Sequence, residues 1–148
     1  MELQLSDIFE VDDGTMRYLK KQKQLRKLVV SEMDITNAGL EHISNLTELR
    51  ELDVSDNHIT DSGLKHFSNL TKLKNLNISH NVEITDAGVK YLVHLTNLDE
   101  LNLLGTNIEH KSSFYQPGDP PVRLLPTTTV FNQKDFDLNE WLTAKESY

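Results

Sequence analysis

The chain repeats itself every 24 or 25 residues. Residues 25–48, 49–72 and 73–97 align with one another, and a fourth copy begins at residue 98, so that apolar residues fall in the same columns of each copy. A unit this short cannot bury its apolar face alone and must stack on its neighbours. The repeat therefore predicts a solenoid, in which successive units stack along one axis.

Each unit begins with a segment whose alternating pattern predicts a short β-strand. In residues 49–54 we expect Leu52 and Val54 to point into the core, whereas Glu51 and Asp53 point outward. The second half of each unit predicts a short helix on the opposite side of the solenoid. There Thr60 is a candidate N-cap.

These columns resemble the leucine-rich repeat family. Its signature L-x-x-L-x-L-x-x-N stands at Leu49, Leu52, Val54 and Asn57, and again at Leu73, Leu76, Ile78 and Asn81. The ITDxGL half of each unit, at residues 59–64 and 84–89, is similar to that of F-box-associated and of bacterial leucine-rich repeats. The resemblance implies an α/β solenoid with a parallel concave sheet and short convex helices, and an inward asparagine that bonds the backbone of the turn.

The chain divides into three parts. We expect residues 1–108 to form four to five repeats, residues 109–126 to form a final irregular unit with a proline-rich turn, and residues 127–148 to form a C-terminal cap or tail. A solenoid needs a terminal element to cover its last repeat, which favours a cap. The alternative is that this aromatic-rich segment docks on another protein. In the first unit, Leu5, Val11 and Met16 are expected to expose an apolar edge, through which the chain could associate with itself.

Charge and composition exclude several classes of function. The net charge of −8 opposes binding to nucleic acid or to an anionic membrane, and favours a protein partner with a basic patch. The absence of cysteine excludes disulfides and thiolate zinc sites. The first residues lack the basic start and apolar run of a secretory signal, so a cytoplasmic location is expected.

The outward residues of successive strands should form one continuous surface, the concave face, because stacked strands lie about 4.8 Å apart. Solenoid curvature makes such a surface suited to binding a partner. The candidate partner-binding residues are Lys27, Val29, Ser31, Glu51, Asp53, Ser55, Asn75, Asn77, Ser79, Glu100, Asn102 and Leu104.

No residue set predicts catalysis, a cofactor or a metal. Ser79 and His80 lie near Asp56, but an open sheet supplies neither an oxyanion hole nor a dry pocket. His42 and His66 share a convex column that offers no third zinc ligand. The sequence therefore predicts a non-enzymatic protein-interaction module. The alternatives are a structural scaffold or an adaptor subunit, either ubiquitin-ligase-like or a bacterial effector, with the C-terminal tail as a docking motif.

Overall fold

Every repeat contributes one three-residue strand to a single sheet. The computed structural model describes residues 1–4, 11–108 and 130–132. The strands are β1 (Glu2–Gln4), β2 (Lys27–Val29), β3 (Glu51–Asp53), β4 (Asn75–Asn77), β5 (Glu100–Asn102) and β6 (Val130–Asn132). The first five are parallel and adjacent in chain order, whereas β6 pairs with β5 in the antiparallel direction. Some predictions concern residues that the structure does not describe. They are the predictions for Leu5, for residues 109–126, and for residues 127–129 and 133–148.

The side opposite the sheet carries one short helix per repeat. These helices are α1 (Asp13–Met16), α2 (Asn37–Glu41), α3 (Asp61–Leu64) and α4 (Asp86–Val89). Tighter 3-10 turns follow three of them, at Arg17–Lys21, Lys65–Phe67 and Lys90–Leu92. Apolar residues spaced at intervals of three suit the 3-10 geometry, which has three residues per turn. The solenoid is therefore an α/β structure with short convex helices, as the sequence predicts.

The core lies between the sheet and the helices. Leu28, Leu52, Leu76 and Leu101 stand in register on adjacent strands, and each is at most 5% exposed. The first unit follows the same register, because Leu3 pairs with Leu28.

The expectation that Val11 and Met16 form an exposed apolar edge is wrong. Val11 is 4% exposed and Met16 is fully buried. Both belong to the same apolar cluster as the later repeats, since α1 packs against α2. The first described helix is thus an ordinary member of the stack.

In two of the units an inward asparagine ties the turn to the preceding repeat. Asn57 accepts a hydrogen bond from the backbone N–H of Ile35 at 3.1 Å, and its amide donates to the carbonyl of Val30 at 2.8 Å. Asn81 accepts from Ile59 at 3.0 Å in the same way. Buried backbone groups require such partners. The structural role that the resemblance implies for these two asparagines is confirmed.

A second set of hydrogen bonds between successive repeats, on the convex side, explains the ITDxGL pattern. The two carboxylate oxygens of Asp61 accept from the backbone N–H and the hydroxyl of Thr85, each at 2.7 Å. Asp13 makes the same pair of bonds to Thr36. This link passes so close to the next helix that a Cβ on Gly88 would meet Oδ1 of Asp61 at 2.4 Å. Glycine is therefore required in that column.

Thr60 differs from its equivalents. It stands at the N-cap position of α3, but its side chain accepts no hydrogen bond from that helix. Its hydroxyl accepts instead from the amide of Asn37 at 2.9 Å. Thr85 caps α4 through the N–H of Ala87 at 3.2 Å. Thr60 is therefore the N-cap residue of α3 as predicted, but it makes no capping hydrogen bond and bonds Asn37 of the preceding repeat instead.

Candidate partner-binding face

The first outward column of the concave face consists of Lys27, Glu51, Asn75 and Glu100, which stand in register on β2 to β5. Nζ of Lys27 lies 2.8 Å from Oε2 of Glu51. Further along, the Asn75 amide donates to Oε2 of Glu100 at 3.3 Å. The hydrogen bond from Lys27 to Glu51 raises the pKa of Lys27, so this lysine stays charged. None of these bonds involves the backbone, which leaves the column free to exchange its contacts for those of a partner.

The second outward column consists of Val29, Asp53, Asn77 and Asn102, and the backbone holds three of these side chains in place. Asp53, Asn77 and Asn102 each accept a hydrogen bond from the backbone N–H two residues later, at 3.0, 3.1 and 3.0 Å. Short polar side chains form such local bonds readily at turns. The bonds fix the direction of each side chain. Val29, the remaining member of the column, has no side-chain oxygen for this purpose.

A network of hydrogen bonds surrounds the Asp53 carboxylate. Its Oδ1 also accepts from the Ser55 hydroxyl at 2.6 Å, and its Oδ2 accepts from the Asn77 amide at 3.0 Å. Asp53 is half-buried, and no cation of the described residues lies within ion-pair distance. The Asp53 carboxylate, near the centre of the face, is therefore bonded only by uncharged donors.

The third predicted column, which consists of Ser31, Ser55, Ser79 and Leu104, departs from the prediction. Ser55 and Ser79 are only 6% and 4% exposed, so neither offers an accessible side chain to a partner. The backbone N–H groups of Ser55 and Ser79 donate to Asp53 and Asn77, and the Ser55 hydroxyl also donates to Asp53. Ser31 and Leu104 are half-buried. The usable surface is therefore concentrated in the first two columns, which line a shallow groove from Lys27 to Glu100.

Sequence reasoning missed the backbone conformation beyond this column. Glu32, Asp56 and His80 adopt positive φ values of 58°, 52° and 58°, and Gly105 follows at 69°. Residues with a Cβ rarely adopt this conformation. Gly105 is the one residue of these four whose type signals a positive φ value. These residues form the edge of the sheet at which the strands end.

The other candidate constellations are not assembled in the described part of the chain. The Ser55 hydroxyl bonds Asp53, and no hydrogen bond joins His80 to a serine or to Asp56 there. Among residues 1–4 and 11–108, no group of three His, Cys, Asp or Glu side chains could hold a metal ion. Burial lowers the pKa of His66. No helix in the described segments is long and apolar enough to cross a membrane.

Comparison with known proteins identifies the repeat. The family model described as "Leucine rich repeat" matches residues 23–82 and 47–108. The fold is similar to the crystal structure of an internalin (inlF) from Listeria monocytogenes, with 28% sequence identity and a TM-score of 0.55. The match covers 63% of this chain and 26% of the internalin chain, so this chain corresponds to about a quarter of that structure. No curated protein matches the sequence.

Proposed function

Because this chain belongs to the leucine-rich repeat family, we propose that it is a protein-interaction module that binds another protein through its concave face. Proteins of this family are generally non-enzymatic interaction modules. The observation that carries the proposal is the fixed second column, in which Asp53, Asn77 and Asn102 are held in place by the backbone. Side chains that are already ordered lose less conformational entropy when a partner binds.

The charge of the face supports a basic segment on the partner. Glu51, Asp53 and Glu100 carry negative charge, and Lys27 is the one cation in the first two columns of β2 to β5. Lys27 is paired with Glu51, which leaves Asp53 and Glu100 without a cation. Complementary charge steers association and discriminates between partners. A partner surface with lysine or arginine side chains spaced along the groove would match these two carboxylates.

The test is affinity capture from native lysate with a variant that changes the first column. Asn75→Arg together with Glu100→Arg alters the face without removing a backbone hydrogen bond. The matched control is Asn69→Arg with Glu41→Arg, which makes the same chemical changes at two exposed residues away from the concave face. Surface substitutions of this kind usually cost less than about 0.5 kcal/mol. Both variants should therefore fold as the parent chain does.

The proposal predicts that a protein captured by the parent chain and by the control variant is lost from the Asn75→Arg, Glu100→Arg variant. Urea denaturation of the three proteins checks that the loss does not reflect unfolding. Equal capture by all three at equal stability would show that the concave face is not the binding surface.

A further inference from the structure

A cluster of basic side chains lies at the edge of the sheet where the strands begin. We call it the basic edge, and its members are Lys20, Lys21, Lys23, Arg26 and Arg50. All five are exposed, and none lies within ion-pair distance of a carboxylate in the described part of the chain. These unpaired cations stand together in a chain whose net charge is −8. Like charges held close together oppose the compact state, so an anionic partner would relieve their repulsion.

The backbone places these cations side by side. The N–H of Arg50 donates to the carbonyl of Arg26 at 2.8 Å, so the two arginines stand at adjacent strand starts, about 4.8 Å apart. Lys20 and Lys21 end the 3-10 turn that leads towards this edge. Lys23 donates to the carbonyl of Asn45 at 3.3 Å, which joins the turn of the first unit to that of the second.

The next repeat limits the basic edge. Lys72 lies 2.6 Å from Glu48, and Lys74 lies 3.9 Å from Asp99, so both of these lysines have a carboxylate of their own. The Lys72 hydrogen bond lowers the pKa of Glu48, and the charges of Arg26 and Arg50 lower it further. The basic edge therefore ends at Arg50, near the start of the third unit, because Lys72 and Lys74 are both paired.

We propose that the basic edge binds a short acidic segment of a partner protein. Each guanidinium presents a planar fork of donors that fits a carboxylate with two parallel hydrogen bonds, which suits Arg26 and Arg50 to neighbouring acidic side chains. A long polyanion such as duplex DNA or an anionic bilayer would extend past the cluster and meet the negative charge of the rest of the chain. A short peptide would not. This surface is distinct from the concave face and binds the opposite charge.

The experiment measures binding of a fluorescein-labelled polyglutamate peptide to the full chain by fluorescence anisotropy. Arg26→Glu with Arg50→Glu should weaken binding by roughly tenfold or more, because it places repulsive charge at the site. The control variant, Lys65→Glu with Lys90→Glu, changes the net charge equally at exposed convex positions and should bind as the parent does. Added salt should weaken binding by the parent.

Three results would overturn the proposal. They are failure of the parent chain to bind the peptide, equal loss in both double variants, and tighter binding of the parent to phosphatidylserine vesicles or to duplex DNA. The Asn75→Arg, Glu100→Arg variant separates the two surfaces. It should keep its affinity for the peptide even where it no longer captures a partner from lysate, and loss of peptide binding there would contradict a separate site.

Discussion

Replacing Gly88 by alanine should destabilise the solenoid, although alanine is the better helix former by about 1 kcal/mol. A Cβ at this position would lie 2.4 Å from Oδ1 of Asp61 and 2.9 Å from Cδ1 of Leu64. Neither neighbour can move freely. Leu64 is fully buried, and Asp61 holds Thr85 through two hydrogen bonds of 2.7 Å. The added methyl group must therefore displace the link between the third and fourth repeats.

The magnitude follows from that link. A hydrogen bond to a charged group contributes about 1.5–3 kcal/mol, so loss of both bonds to Asp61 costs at least about 3 kcal/mol. The gain in helix propensity offsets about 1 kcal/mol of this cost. Gly88→Ala should therefore lower the free energy of unfolding by at least about 2 kcal/mol. Urea denaturation measures the change, provided that the m-value stays constant.

Gly14 provides the matched control, since a Cβ there would approach no atom closer than 3.4 Å. Gly14→Ala should be neutral or stabilise the protein by up to about 1 kcal/mol. Asp61→Ala removes the contact at Oδ1 but leaves the one with Leu64, so Gly88→Ala should cost less in that background than in the parent. If Gly88→Ala were as stable as Gly14→Ala, or lost the same stability with and without Asp61, the account of the glycine column would be refuted.

Three further perturbations test the core, the titration of one histidine and the C-terminal strand. Leu76→Ala should cost about 2–5 kcal/mol in urea denaturation, whereas Asn75→Ala, on the opposite face of the same strand, should cost less than about 0.5 kcal/mol. A small cost for Leu76 would contradict the register. Burial lowers the pKa of His66 in the folded protein, so the unfolded chain binds its proton more readily. Stability should fall as pH drops below the unfolded value of about 6.5 towards the lowered pKa, and His66→Gln should reduce this slope in pH-dependent melting. Deleting residues 127–148 removes β6 from β5 and should lower stability and cause aggregation in light scattering, whereas deleting 133–148 keeps the strand. A stable monomer after the longer deletion would identify the segment as a docking motif instead of a cap.

The fold could be predicted because one period governs both burial and strand pairing. A leucine that recurs every 24 or 25 residues must occupy the same place in each unit if the units stack. Leu28, Leu52, Leu76 and Leu101 do so on consecutive strands. The same argument applies to the first unit, where Leu3 matches the leucine of the later strands and pairs with Leu28.

The details of the concave face could not be predicted in the same way. Alternation assigns Ser55 and Ser79 to the outward side only if the strand continues to them. Both strands end earlier, at Asp53 and Asn77, and each of these residues bonds the backbone N–H of the serine two residues later. Nothing in a strand pattern distinguishes an aspartate that faces a partner from one that closes a turn. These two side chains do both, so replacing either would test the turn as well as the binding surface.

The distinction between repeated and varying columns limits what the sequence can say about function. A position that bonds the backbone of the preceding turn in the same way can carry the same residue in successive units, as Asn57 and Asn81 do. A partner without the same repeat requires different residues from one unit to the next. The first outward column meets that condition, since it changes from lysine through glutamate and asparagine to glutamate, and its side chains bond only one another. Varying columns thus indicate where specificity can lie. The identity of the partner depends on the shape and charge of another surface, which the period of this chain does not constrain.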